Sequence, residues 1–108
     1  VVDAQGRRCP TDEARVDFEV SGPVIWRGGF NAAKLNTTNN FYLDTECGIN
    51  RVAVRSTVTA GKITVTAKRD GLAPATVTID SKPVEIVSGL GRSLPPTLPG
   101  TALAAVAK

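Results

Sequence analysis

From Ser56 to Ile79 the chain reads STVTAGKITVTAKRDGLAPATVTI, with apolar and polar residues alternating at period two. Successive side chains of a strand point to opposite faces of a sheet. This pattern therefore commits one face to a core and the other to water. In KITVTAK, Ile63, Val65 and Ala67 share one face, and Thr64, Thr66 and Lys68 share the other. ATVTID is expected to bring Val77 and Ile79 into the same core. No window offers the competing signal, a helical stripe with caps.

The same rhythm recurs elsewhere. ARVDFEV places Val16, Phe18 and Val20 opposite Arg15, Asp17 and Glu19. PVIWRGGF is a shorter apolar run broken by Gly28 and Gly29, which suggests a strand ending in a bend or bulge. RVAVRST puts Val52 and Val54 on one face, and VEIV is a last apolar run before Gly89. DAQG, Ala60–Gly61 and RDGLAP carry turn chemistry. The asparagine-rich NAAKLNTTNN reads as an exposed loop. About seven short strands separated by turns predict an all-β fold, an immunoglobulin-like antiparallel β-sandwich over residues 1–90. Residues 91–108 contain Pro95, Pro96 and Pro99 and are expected to form an extended C-terminal tail.

With 108 residues the chain is long enough for one domain. A net charge of +3 dispersed along it gives no basic stripe, which argues against a nucleic-acid partner. No apolar run approaches the ~20 residues of a membrane-spanning helix, so no membrane insertion is expected. The chain begins VVDAQG and contains no methionine, which suggests a processed or excised part of a longer polypeptide. Cys9 and Cys47 are the only cysteines; they can pair in an oxidising compartment or each serve as a small buried apolar residue.

The chain also has no histidine. That removes the usual Ser-His and Cys-His nucleophile pairs and most zinc sites. Phosphate-loop and calcium-loop spacings are missing as well, so no metal and no cofactor is expected. Asp17 and Glu19 could in principle pair for glycoside hydrolysis, but they alternate with core residues as solvent-facing charges do. Asn36-Thr37-Thr38 matches a glycosylation sequon, a frequent chance match. What remains is aromatic and amide chemistry. Trp26, Asn31, Asn39, Asn40 and Tyr42 could form a glycan or domain contact, rings stacking on C–H faces while amides take hydroxyls. The competing reading makes Trp26 a packing residue, as a lone tryptophan in a sandwich commonly is.

Several segments together resemble a known family. They are D-x-x-G-x-x-x-P (Asp3 to Pro10), V-x-F-x-V closing on Ser21-Gly22-Pro23, V-R-S-T (Val54 to Thr57), A-G-x-I-T-V-T-A (Ala60 to Ala67) and G-L-x-x-A-x-V-x-I (Gly71 to Ile79). Their order and spacing resemble the C-terminal immunoglobulin-like domain of glycoside hydrolase family two enzymes of the β-galactosidase type. The resemblance implies a non-catalytic accessory domain of a secreted or periplasmic bacterial hydrolase. Its catalytic carboxylates would lie upstream, its partners would be the upstream domains, and a polysaccharide or oligosaccharide contact is possible. RGGFN (Arg27 to Asn31) departs from the family's pattern, so no role carries over to that loop. Two alternatives stay open: an immunoglobulin-like repeat of a bacterial surface adhesin, and an independent carbohydrate-binding module. The chain itself holds no internal repeat.

Overall fold

Alternation along β1 (Arg15–Ser21) points Val16, Phe18 and Val20 inward, and β1 becomes an inner strand of the largest sheet. The computed structural model describes residues 1–91. β3 (Tyr42–Asp44) pairs with one edge of β1, and β5 (Gly61–Lys68) with the other. β6 (Ala75–Ser81) then adds to β5, giving an antiparallel four-stranded sheet of order β3-β1-β5-β6. The opposing layer is two-stranded, β2 (Val24–Gly28) against β4 (Ala53–Ser56). A small hairpin, β7 (Ile86–Val87) with β8 (Leu90–Gly91), follows. No described residue is helical, and the architecture is the antiparallel sandwich that the alternation predicts. Apart from Gly91, the tail expected over residues 91–108 lies outside the described residues.

The chain passes from sheet to sheet through Ser21-Gly22-Pro23. Gly22 has φ of +95°, and a Cβ there would run into the Lys62 carbonyl, so only glycine fits this crossing. Between Trp26 and Gly28 the β2–β4 register shifts, leaving Arg27 as the extra residue of a bulge, as the Gly-Gly signal suggests. β3 was not legible as a strand: it has three residues, and Leu43 is its only inward apolar side chain.

The core forms where the two layers overlap. Trp26, Ile63 and Val65 are buried there, backed by Phe18, Val20, Val24, Val52 and Val54. The Trp26 ring stacks on Phe41 at 5.2 Å and tilts against Phe18 at 5.3 Å. Its indole N–H donates to the Asn40 carbonyl at 2.7 Å, which satisfies the one polar atom the ring would otherwise bury bare.

One expectation is corrected. Val77 and Ile79 do face inward, in register with Val65 and Ile63, yet they are 54% and 44% exposed. Alternation sets which way a side chain points but not what covers it, and a two-stranded layer is narrower than the four strands it faces. The outer face carries the polar residues. Lys68 pairs with Glu19 at 2.6 Å, Lys62 with Asp80 at 3.2 Å, and Thr66 bonds Thr76 at 3.0 Å. Exposed pairs of this kind each contribute at most about 1 kcal/mol.

Candidate functional site

The asparagine-rich segment between β2 and β3 is more ordered than its composition suggests. Asn31 was expected to be exposed, but it is 3% exposed and fully engaged. Its Nδ2 donates to the Asp44 carbonyl at 2.9 Å and to Glu46 Oε1 at 3.1 Å, and its Oδ1 accepts from the Asp44 N–H at 3.0 Å. The side-chain amide thus completes Asp44 as a neighbouring strand would. Glu46 Oε1 also accepts from the Ala32 N–H at 2.7 Å, and Lys34 pairs with the Asp44 carboxylate. Asn40 is half-buried; its Nδ2 donates to the Asn36 carbonyl at 2.6 Å. Asn39 is exposed in the left-handed region at φ 68°, its N–H donating to the Arg27 carbonyl at 3.2 Å.

The five predicted residues do not form one patch. Trp26 lies in the core with Phe18 and Phe41 against its ring, so it offers no free face for stacking on a sugar. Tyr42 lies on the opposite, outer face of the large sheet, paired with Asp17 and covered by the Arg15 guanidinium 3.9 Å from its ring centre. Among the five, only Asn39 and Tyr42 are exposed. Sequence reasoning passed over Phe41, which shields the indole while remaining half exposed. A period-two reading back from Leu43 puts Phe41 on the same, inner face, and that is the signal that could have found it.

A second feature was not anticipated. The inner face of the large sheet also floors an apolar hollow of about 680 Å³, which reaches Phe18. Val16, Phe18 and Leu43 form its floor, Ile49 and Leu72 part of its wall, and Val1 its rim. The N-terminal hairpin that frames it is built on Asp3, whose Oδ1 accepts from the N–H groups of Gln5 and Arg7, both at 2.9 Å. The Val1 nitrogen donates to the Gly48 carbonyl at 2.6 Å, and the Cys9 N–H donates to the Val1 carbonyl at 3.0 Å. Gly48 has φ of +78°, and a Cβ there would collide with the Cys9 carbonyl. Cys9 and Cys47 are both free thiols, Cys9 half-buried and Cys47 exposed.

Beside the hollow, a charged cluster locks the hairpin region to the sheet. Arg69 grips Asp12 with two bonds, Nη1 to Oδ1 at 2.9 Å and Nη2 to Oδ2 at 2.5 Å. The Thr45 hydroxyl donates to the same carboxylate. The Arg69 guanidinium, followed by the Thr45 hydroxyl, holds the Asp12 carboxyl well below the usual carboxylate range, and Asp12 raises Arg69 in return. With its charge already neutralised, this carboxylate is a structural tie and is poorly suited to acid–base work. Asp17 and Glu19 are each held in an exposed ion pair, with Arg15 and Lys68. Among the described residues no group of His, Cys, Asp and Glu could hold a metal ion, and no helix is long and apolar enough to cross a membrane.

The geometry describes an all-β module that offers surfaces for contact and no assembled catalytic set among its described residues. Residues 1–78 match the family described as glycoside hydrolase family 2 C-terminal domain 5. The chain is 56% identical over 95 residues to a β-glucuronidase of Formosa agariphila, covering 88% of this chain and 10% of that protein. Its fold is similar to that of a β-glucuronidase from glycoside hydrolase family 2, with TM-score 0.85, 51% identity and coverage of 95% of this chain and 11% of that one. A glycosyl hydrolase family 2 member from Bacteroides cellulosilyticus is similar at TM-score 0.68 and 32% identity, over 75% of this chain and 11% of that one. The chain belongs to the glycoside hydrolase family 2 C-terminal domain 5 family. It spans about a tenth of the length of these relatives, two of which are β-glucuronidases where the sequence motifs pointed to the β-galactosidase type.

Proposed function

We propose that this chain is the non-catalytic accessory domain of a larger β-glucuronidase-type hydrolase, and that it packs against the upstream domains of that polypeptide. The observation that carries the reading is the family match over residues 1–78, joined by 56% identity to a β-glucuronidase. The chemistry of the domain agrees. Hydrolysis of a glycoside needs two carboxyl groups free to act as acid and as base or nucleophile, and the best-placed carboxylates here are engaged by Arg69, Arg15 and Lys68. The half-exposed apolar face of β6, with Ile86 and Val87 beyond it, supplies surface for packing on a neighbour.

Direct glycan contact, where this domain makes it, falls to Asn39 and Tyr42, and Trp26 serves packing. A secreted or periplasmic location belongs to the same reading, because polymeric glycosides are met outside the cytoplasm; cell fractionation tests it. For the function itself, the pure chain is assayed on p-nitrophenyl β-D-glucuronide beside the whole polypeptide. Turnover by the whole polypeptide alone is expected. Release of nitrophenol by the 108-residue chain would overturn the non-catalytic assignment, and a parent that cleaves the β-galactoside but not the glucuronide would overturn the sugar assignment.

A further inference from the structure

We infer that the outer face of the β2–β4 layer is a binding surface for a carboxylated polysaccharide, held by Arg27, Arg51 and Arg55. The inference rests on the reading of this chain as part of a β-glucuronidase-type hydrolase, and names the kind of glycan its accessory domain takes. Three observations carry it.

The first is placement. Trp26, Val52 and Val54 pack in the core, so the residues that alternate with them look outward. These are Ile25 on β2, Ala53 and Arg55 on β4, and Arg51 just before it, all exposed. Arg27, the bulged residue beside buried Trp26, is exposed as well. Gly28 pairs with Ala53, so Arg27 lies across from the middle of a row that Arg51 and Arg55 end. From Arg51 to Arg55 is roughly 13 Å of extended strand.

The second is electrostatic. No Asp or Glu occurs from residue 20 to 43 or from 47 to 69, the stretches that hold both strands and their flanking loops. The ion pairs among the described residues leave out Arg27, Arg51 and Arg55. On the outer face of the large sheet, by contrast, Lys62 and Lys68 are matched by Asp80 and Glu19. Positive charge that is dispersed along the sequence is thus gathered on one face by the β2–β4 pairing.

The third is chemical. All three cations are arginines, whose planar guanidinium meets a carboxylate with two parallel hydrogen bonds. Ile25, 44% exposed and opposite Arg55 in the ladder, and Ala53 lie among them as an apolar floor for the C–H faces of a sugar. Asn39, already assigned direct glycan contact, borders the row through its N–H bond to the Arg27 carbonyl. A row of guanidiniums suits an extended chain with repeated carboxylates, and the sugar after which the β-glucuronidase relatives are named carries one. A single-stranded nucleic acid would use rings between the cations, and none of the outward residues of these two strands is aromatic.

The test uses the full-length polypeptide and a fluorescein-labelled hyaluronan octasaccharide, which carries glucuronate on every second sugar. Binding is read by anisotropy, with excess monomeric glucuronate occupying the parent's catalytic pocket. Replacing Arg27, Arg51 and Arg55 together by Gln is expected to raise Kd about tenfold, as loss of three exposed charge contacts should. A charge-matched control, Arg7→Gln with Lys62→Gln and Lys68→Gln, removes the same charge from cations that are already paired, and is expected to change Kd less than about twofold. Where the first variant fails to fold, the three single replacements are read, each expected to raise Kd about twofold. Equal losses in the variant and its control would trace binding to net charge and overturn the proposal. Unchanged binding with a lower thermal midpoint would put an acidic face of an upstream domain on the row, and overturns it too. So would oligothymidylate or phosphatidylglycerol vesicles that bind as tightly as the octasaccharide and are lost in the same variant. Turnover of p-nitrophenyl β-D-glucuronide by the same samples is a separate readout, so a failure here is distinct from a failure of the hydrolase assignment.

Discussion

Ile63 and Ile79 face each other in the β5–β6 ladder with the same chemistry and on the same side of the sheet, yet one is 2% exposed and the other 44%. Truncating each to alanine separates burial from orientation. Ile→Ala removes three carbon groups, about 2.4 kcal/mol at roughly 0.8 kcal/mol each when fully buried. At Ile63 the space left between Trp26 and Val65 adds a cavity cost of roughly 1 kcal/mol for a few tens of Å³, giving about 3 kcal/mol. At Ile79 about half of the transfer cost applies and no closed cavity forms, giving roughly 1.3 kcal/mol. Trp26 is the only tryptophan and sits inside the core, so its fluorescence reports unfolding without a label. With a urea slope of about 1.5 kcal/mol per molar, the midpoint falls by roughly 2 M for Ile63→Ala and by roughly 0.9 M for Ile79→Ala. Equal shifts would refute the claim that the two-stranded layer stops short of β6. In the full-length polypeptide, a neighbour packed on β6 would raise the cost at Ile79 toward that at Ile63.

Further outcomes follow from individual residues. Asp12 in the folded chain lies below its ordinary value of 3.8, so as pH falls the unfolded chain takes up a proton that the folded chain excludes. Stability is therefore full above the ordinary carboxylate range and drops continuously as pH falls below about 5, with no levelling at the ordinary value because the folded carboxyl titrates well beneath it; Asp3, also lowered, adds to the slope. Urea midpoints across that range should fall less steeply in Asp12→Asn. Gly6 and Gly48 share a positive φ near 78°, but a Cβ at Gly6 meets nothing within 4 Å. Gly6→Ala should cost about 1 kcal/mol, roughly 5 °C in thermal midpoint, and Gly48→Ala clearly more. Ellman titration of the native chain should find two thiols, Cys47 reacting before half-buried Cys9; a chain with no titratable thiol would contradict their free state.

Much of the fold was legible because period two is a direct imprint of a half-buried strand, and β1, β5 and β6 carry it without interruption. The bulge at Arg27 could be read from the glycines beside it. Coverage could not be read: Val77 and Ile79 show the same alternation as Val65 and Ile63, and only the width of the opposing layer distinguishes them. The candidate site was harder. Asparagine signals a loop because its amide competes with backbone bonding, and that same ability lets Asn31 act as a buried strand partner for Asp44. Trp26 and Tyr42 flank one loop in sequence but fall on opposite faces of a sheet, a relation that needs the β1–β3 register. The hollow left no local mark, since it is assembled from segments far apart in the chain.

The non-catalytic role is tested most directly by removing these residues from the full-length polypeptide and measuring turnover of p-nitrophenyl β-D-glucuronide, with circular dichroism confirming that the remainder is folded. The expected result is a catalytic constant within about tenfold of the intact protein, under roughly 1.4 kcal/mol of barrier, together with a lower thermal midpoint. A loss of about a thousandfold from a folded remainder is the size seen when a group acting at the reacting atoms is taken away, and it would place part of the catalytic machinery in this domain.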